Sequence, residues 1–165
     1  MENRHNYKLE IKTNRTWYVV LLLNWITCGI YGIYFYYTIG EDINVMARKH
    51  DGKKTMNYVL AFLLSIITCG IFAFIWMHGV SDRIGNEIRR RRIDYKFSAE
   101  TFWLFSVLPT VILMIPLFII TFNNPDNWGF RILIQIAMAI GPAYYLHKLC
   151  NAMNLLAHDF NRGID

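Results

Sequence analysis

Charge is missing from most of this chain. No Asp, Glu, Lys or Arg occurs from Thr16 to Gly40, from Thr55 to Ser81 or from Thr101 to Pro125, and a shorter gap runs from Ile132 to His147, just after Arg131. Uncharged runs longer than about 18 residues are the usual mark of helices that sit in lipid. The alternative is a soluble all-α protein holding three helices that are apolar on every side. A hydrophobic fraction of 55% with only 18% charge, in 165 residues, is too apolar for an ordinary soluble surface. The length suits one domain.

Within these runs lies a duplication. Ile26-Thr27-Cys28-Gly29-Ile30 returns unchanged 41 places later as Ile67-Thr68-Cys69-Gly70-Ile71. The register extends outward: Leu22 and Leu23 fall on Leu63 and Leu64, Ile43 on Ile84, Arg48 on Arg89. A fixed period of this kind signals a repeated supersecondary unit. Each copy interrupts a helix-length run at Thr-Cys-Gly. Glycine suits the position just past a helix end because it takes φ > 0 without a Cβ clash. A second helix then starts near Ile30 or Tyr31 and becomes amphipathic beyond Ile39, with Ile43 and Met46 on one face and Glu41, Asp42 and Arg48 on another.

These signals divide the chain into a polar leader (1–15), unit 1 (16–54), unit 2 with a basic tail (55–100), a transmembrane helix pair (101–154) and a polar tail (155–165). Thr16, Thr55 and Thr101 each open an apolar run, as N-caps do. The third run carries no Thr-Cys-Gly; Pro109 and Pro116 predict kinks there, and Asn123 to Asn127 predicts a turn. Tyr144 to Asn154 aligns loosely with Tyr34 to Asn44, which makes 101–154 a degenerate third unit. The expected fold is an all-α integral membrane protein of three tandem helix–turn–helix units.

Units 1 and 2 admit two arrangements. Each is either one kinked span or a re-entrant hairpin that turns at Thr-Cys-Gly and returns to its own side. Charge favours the hairpin: it leaves sixteen of the seventeen Lys and Arg on one side, with only Arg131 opposite, whereas simple spans give twelve against five. The third unit, long enough for two complete spans, also keeps its ends on one side. Length favours the span. Trp17 to Tyr37 could cross once, whereas half of it climbs only ~16 Å, about half of a hydrocarbon core. A turn left near the midplane would need protein cover for its backbone polar groups.

The net charge of +5 comes from the loops. Arg89, Arg90, Arg91 and Arg92, just beyond an apolar segment, are candidate contacts for anionic lipid, not nucleic acid. Both termini are expected in the cytoplasm of a bacterial inner membrane. The polar leader does not look like a cleavable signal peptide, and the Asn14-Arg15-Thr16 sequon is expected to be chance.

Few residues invite chemistry. His78 and His147 could bind metal or move protons, but Tyr37 at the equivalent place points to an interfacial aromatic. His147 and Cys150 could join Cys28 and Cys69 around a metal, although the spacing matches no ligand motif. The repeat cysteines read instead as small residues allowing close approach at a turn. Arg131 and Asp126 read as an end-of-helix charge and its neighbour. Asn24, Ser65 and Gln135 are expected to hydrogen-bond across helices. Thr27, Cys28, Gly29, Thr68, Cys69 and Gly70 are structural turn residues. No catalytic, cofactor or metal residue is expected.

The doubled Ile-Thr-Cys-Gly-Ile followed by aromatics, closing on Asp42-Ile43-Asn44, resembles the bacterial membrane family called domain of unknown function 4234. The match covers Trp17 to Asn44 and Tyr58 to Asn86; the second copy departs in having Phe72-Ala73-Phe74 where the first has Tyr31-Gly32-Ile33. The resemblance implies a small prokaryotic integral membrane protein and brings no activity, cofactor or catalytic residue. The expectation is a non-enzymatic membrane component that packs against lipid, itself or other membrane proteins. The alternative is a small oligomeric channel or transporter, weakened by the lack of an intramembrane carboxylate.

Overall fold

A computed structural model describes residues 10–123 and 126–163. Residues 1–9 of the leader, 124 and 125 of the expected turn, and 164 and 165 of the tail lie outside the described residues. Among those described, the chain is helical and has no strand.

The first apolar run breaks where expected. Helix α1 (Trp17–Ile26) stops, Thr27 to Gly29 turn, and α2 (Ile30–Asp51) leaves in the opposite direction. The reversal is fixed by contacts on both sides of the turn. Gly32 N–H donates to Asn24 Oδ1 at 2.9 Å, and the Arg15 guanidinium pairs with Asp42 far from the tip. Helices α3 (Tyr58–Ile67) and α4 (Ile71–Arg90) form a second hairpin, in which Trp76 Nε1 reaches back to the Met56 carbonyl at 2.8 Å. Each unit is therefore a hairpin, not one kinked helix.

The third pair is longer. Helix α5 (Ala99–Phe102) runs through a π-helical turn (Trp103–Val107) into α6 (Leu108–Asn123), and α7 (Trp128–Asn161) returns. The most apolar stretch of Ala99–Asn123 is not buried within the chain, and that of α7 is mostly unburied too. By length and composition these two helices can cross a membrane. The expected kink at Pro109 takes the form of the π-helical turn. Proline has no N–H for the Phe105 carbonyl four residues back, and the wide turn adjusts the ladder there. That carbonyl then presses on α7: a Cβ on Gly141 would stand 2.1 Å from Phe105 O.

Helix starts differ from expectation. Thr16 is an N-cap, but the next caps are Asn57 and Ser98, not Thr55 and Thr101. Asn57 Oδ1 accepts from Val59 N at 2.8 Å, and the Thr101 hydroxyl reaches back to the Ser98 amide at 3.2 Å. The three caps are spaced 41 residues apart. Helix α7 also runs on through the segment expected to be a polar tail, because Leu149, Met153, Leu156 and Ala157 bury one face of it.

The core is where the three second helices meet. Ile39, Val80 and Leu149 are buried together with Ile43, Ile84 and Met153, and with Ala47, Ile88 and Ala157. These trios sit 41 and then 69 positions apart, with one residue of each on α2, one on α4 and one on α7. Aromatics join each hairpin to the one before it. Tyr58 lies 5.2 Å from Tyr36, and Trp103 donates to His78 Nδ1 at 3.0 Å. Trp17 closes the circle on His147, their ring centroids 6.0 Å apart.

Candidate functional site

The Thr-Cys-Gly turns come first, because the sequence singles them out. In each, the threonine hydroxyl donates to the carbonyl four residues back (Thr27 to Leu23, 2.7 Å; Thr68 to Leu64, 2.9 Å). The same oxygen accepts the amide four residues on (Tyr31, 2.9 Å; Phe72, 3.1 Å). The turn glycine donates to the carbonyl of Asn24 or Ser65. Most of the polar groups that a helix break would strand are thus satisfied inside the turn itself.

The cysteines do not act as close-approach residues. Cys28 and Cys69 are exposed and sit at φ 49° and 50°, in the left-handed region, next to Gly29 at 95° and Gly70 at 89°. Left-handed backbone in an L-residue costs roughly 1–2 kcal/mol, which the bonds from the threonine offset. Around the tips the large side chains face outward: Trp25 is 81% exposed and Ile67 78%.

The expected bonding across helices takes a narrower form. The Asn24 carboxamide bonds within its own hairpin, while Ser65 Oγ donates to Ala61 O of its own helix at 2.7 Å. What the two residues share is the backbone carbonyl that receives the glycine. Gln135 is exposed on α7. His78 bonds Trp103, and His147 bonds Asn151 at 3.1 Å. Cys150 is buried in the helical core, away from the exposed Cys28 and Cys69. Among the described residues no three of His, Cys, Asp and Glu gather as metal ligands. Asp126 is exposed before α7 and Arg131 is half-buried in its first turn.

The opposite end of the bundle holds a charged network that the sequence reading missed. Arg83, 8% exposed, donates to Asp51 Oδ2 at 2.6 Å, Asn44 Oδ1 at 2.5 Å, Thr55 Oγ1 at 2.7 Å and the Lys53 carbonyl at 2.6 Å. It ties the segment before α3 to α4. Burial alone would raise the Asp51 carboxyl, but the bonds from Arg83 and the Lys53 amide hold it below the usual carboxylate range.

Glu87 occupies the core position that Met46 and Leu156 fill on the other two helices, and it is 4% exposed. Arg90 and Arg91 bond its carboxylate at 2.6 and 2.7 Å. Burial opposes its charge, yet the two guanidiniums pull its pKa below the ordinary value. Arg91 continues to Asp159 at 3.0 Å and lies 5.7 Å from the Phe160 ring. Of the four arginines expected to meet lipid, Arg91 therefore turns inward; Arg89 and Arg92 are exposed.

Asparagines close the ring. Asn44 clasps the backbone of Thr55 through both its oxygen (2.7 Å) and its nitrogen (3.1 Å). Asn154 does the same to Arg15, with both bonds at 2.8 Å, and Asn161 to Ile11. At the corresponding place on α4, Gly85 lets the next linker pack directly, since a Cβ would meet Phe97 O at 2.5 Å. The alignment of Tyr144–Asn154 with Tyr34–Asn44 was the sequence signal for this clasp. The segments that precede α1, α3 and α5 and the C-terminal end of α7 thus gather at one polar end.

No curated protein and no solved structure matches the chain. A model of the family described as Domain of unknown function (DUF4234) matches residues 15–86, the two hairpins with both Thr-Cys-Gly turns.

Proposed function

We propose that the protein is a non-enzymatic integral membrane protein of a bacterial inner membrane, built from three tandem hairpin units. Hairpins 1 and 2 re-enter the inner leaflet, the third spans the bilayer, and both termini stay in the cytoplasm. Its lipid-facing helices serve as a packing surface for other membrane proteins or for further copies of itself.

The observation that carries this reading is the separation of the two ends. The linkers that precede α3 and α5, with their arginines and lysines, lie at one end, while α1, α3, α6 and the first half of α7 expose Leu22, Leu63, Ile115 and Leu133 to their surroundings. In water such a surface would associate; in lipid it is solvated. The rise of α1 is ~15 Å, that of Ala99–Asn123 ~37 Å, against a ~30 Å core. Helix starts 41 residues apart and the matching core trios support the three-unit reading. A channel made by one chain would need a water path along the axis of α2, α4 and α7, but Ile43, Ile84 and Met153 fill it.

Side-specific labelling tests the arrangement. Single cysteines at Asp51, Glu100 and Asp126, in a background without Cys28, Cys69 and Cys150, are exposed to an impermeant maleimide from each face. The reading predicts that positions 51 and 100 label from the cytoplasm and 126 from the other face. Position 51 labelling together with 126 would overturn it.

A further inference from the structure

A cleft of about 410 Å³ opens between the segment before α3 and the outer face of α4. Its walls are split by chemistry. Phe72, Ile75 and Trp76 line the side toward the hairpin tip; Lys53, Lys54 and Asn86 line the side toward the polar end. Trp76 is a fixed wall, because its indole N–H is held by Met56 O at 2.8 Å and Tyr58 packs on it at 4.6 Å. Arg83 is engaged by Asp51 and Thr55 and so belongs to the floor. Asp82 accepts from Asn86 at 2.9 Å. The two lysines at the rim give this end of the cleft an excess of positive charge.

Gly79 supplies a second, independent observation. It lies in the middle of α4 and lines the cleft, where glycine costs the helix about 1 kcal/mol relative to alanine. Packing does not require it: a Cβ there would meet nothing within 4 Å. This contrasts with Gly85 on the same helix, where a Cβ would strike Phe97. The space in front of Gly79 is the cleft itself.

We propose that this cleft binds one anionic glycerophospholipid, the phosphate against the Lys53 and Lys54 ammonium groups and an acyl chain over Phe72 and Ile75. An anion answers the lysines, and an amphiphile answers the apolar wall continuous with the exposed face of α3 and α4. Tyr36, Tyr58 and Trp76, clustered beside it, are the aromatics expected at headgroup level. The inference rests on the membrane reading above.

Native mass spectrometry of the full chain in detergent, with added phosphatidylglycerol or phosphatidylcholine, is the test. One phosphatidylglycerol should be retained about tenfold better than phosphatidylcholine, a preference worth ~1.4 kcal/mol. Gly79→Leu, which fills the space, and the Lys53→Gln/Lys54→Gln pair should each abolish the preference, while Lys148→Gln leaves it intact. Gly79→Ala favours the helix and should weaken retention without unfolding. Equal retention of both lipids, or an unchanged preference in a folded Gly79→Leu chain, would overturn the assignment. So would displacement of the lipid by excess inorganic phosphate, which would make the site one for a small soluble anion. Behaviour in plain buffer separates the two readings: a chain monodisperse without detergent sinks the membrane reading, whereas equal retention by a detergent-dependent chain sinks this one alone.

Discussion

The two hairpins solve one packing problem in two ways, and exchanging the solutions gives a quantitative test. In hairpin 1, Asn24 faces Gly32; 41 residues later Ser65 and Ala73 take their places. A Cβ on Gly32 would stand 2.4 Å from Asn24 Oδ1, so Gly32→Ala must push the carboxamide away. The Gly32 amide would keep its bond to Gly29 O at 3.1 Å, and the loss falls on Asn24. Displacing a half-buried amide from its partner costs about 1–3 kcal/mol, against a helix-propensity gain of roughly 0.5–1 kcal/mol for Gly→Ala. The net expectation is destabilisation by about 0–2.5 kcal/mol, centred near 1. Asn24→Ser alone loses the bond to Gly32 and costs about 1 kcal/mol. The double variant reproduces the second hairpin, keeps the propensity gain and should lie within roughly 0.5 kcal/mol of the parent. Denaturant unfolding in detergent micelles, followed by far-ultraviolet circular dichroism, gives all four stabilities. A coupling energy near zero would refute the reasoning, since it would mean that the two side chains do not compete for one volume.

Gly141→Ala should cost more than Gly32→Ala, by about 1–3 kcal/mol, because the obstacle is the Phe105 backbone carbonyl and not a side chain that can rotate; the same unfolding assay reads it. Glu87 has its pKa depressed in the folded chain, so the stability it contributes is present above the ordinary glutamate pKa of 4.5 and fades as pH falls through the lower folded value. Glu87→Gln should remove that acid-side loss and cost about 1–3 kcal/mol at neutral pH by taking away the carboxylate that Arg90 and Arg91 share, measured as unfolding midpoint against pH. Asn154→Ala should free the Arg15 amide, and hydrogen exchange at that residue should accelerate while Thr55, held by Asn44, keeps its protection.

Local chemistry made the helices and their breaks readable. Uncharged runs located every apolar helix, and glycine in a doubled pentapeptide located both reversals, since φ near 90° is open to glycine and costly for other residues. The left-handed backbone of Cys28 and Cys69 was hidden, because nothing about cysteine announces it; the threonine bonds that hold it become visible only in three dimensions. The expected helix starts at Thr55 and Thr101 differ from the observed ones because a threonine cap looks in sequence like a threonine just before the cap (Thr55) or inside the first turn (Thr101), whereas counting 41 from Thr16 leads to Asn57 and Ser98. The polar end was hidden for a different reason. Its bonds join residues as far apart as Ile11 and Asn161, and a buried glutamate at a core position resembles a solvated one until Arg90 and Arg91 are seen around it. The lone clue was the loose match of Tyr144–Asn154 to Tyr34–Asn44, which sets Asn154 on Asn44.

The central claim is that the Thr-Cys-Gly tips rest in the middle of a bilayer, reached from the cytoplasmic face and left toward it. Cys28 and Cys69 are exposed at those tips while Cys150 is buried, so the native chain can carry a bimane probe at either tip. In reconstituted vesicles, phospholipids bearing a nitroxide near the acyl terminus should quench both probes most strongly, with headgroup nitroxides and aqueous iodide having little effect. Strongest quenching by iodide, or by headgroup nitroxides, would contradict the account.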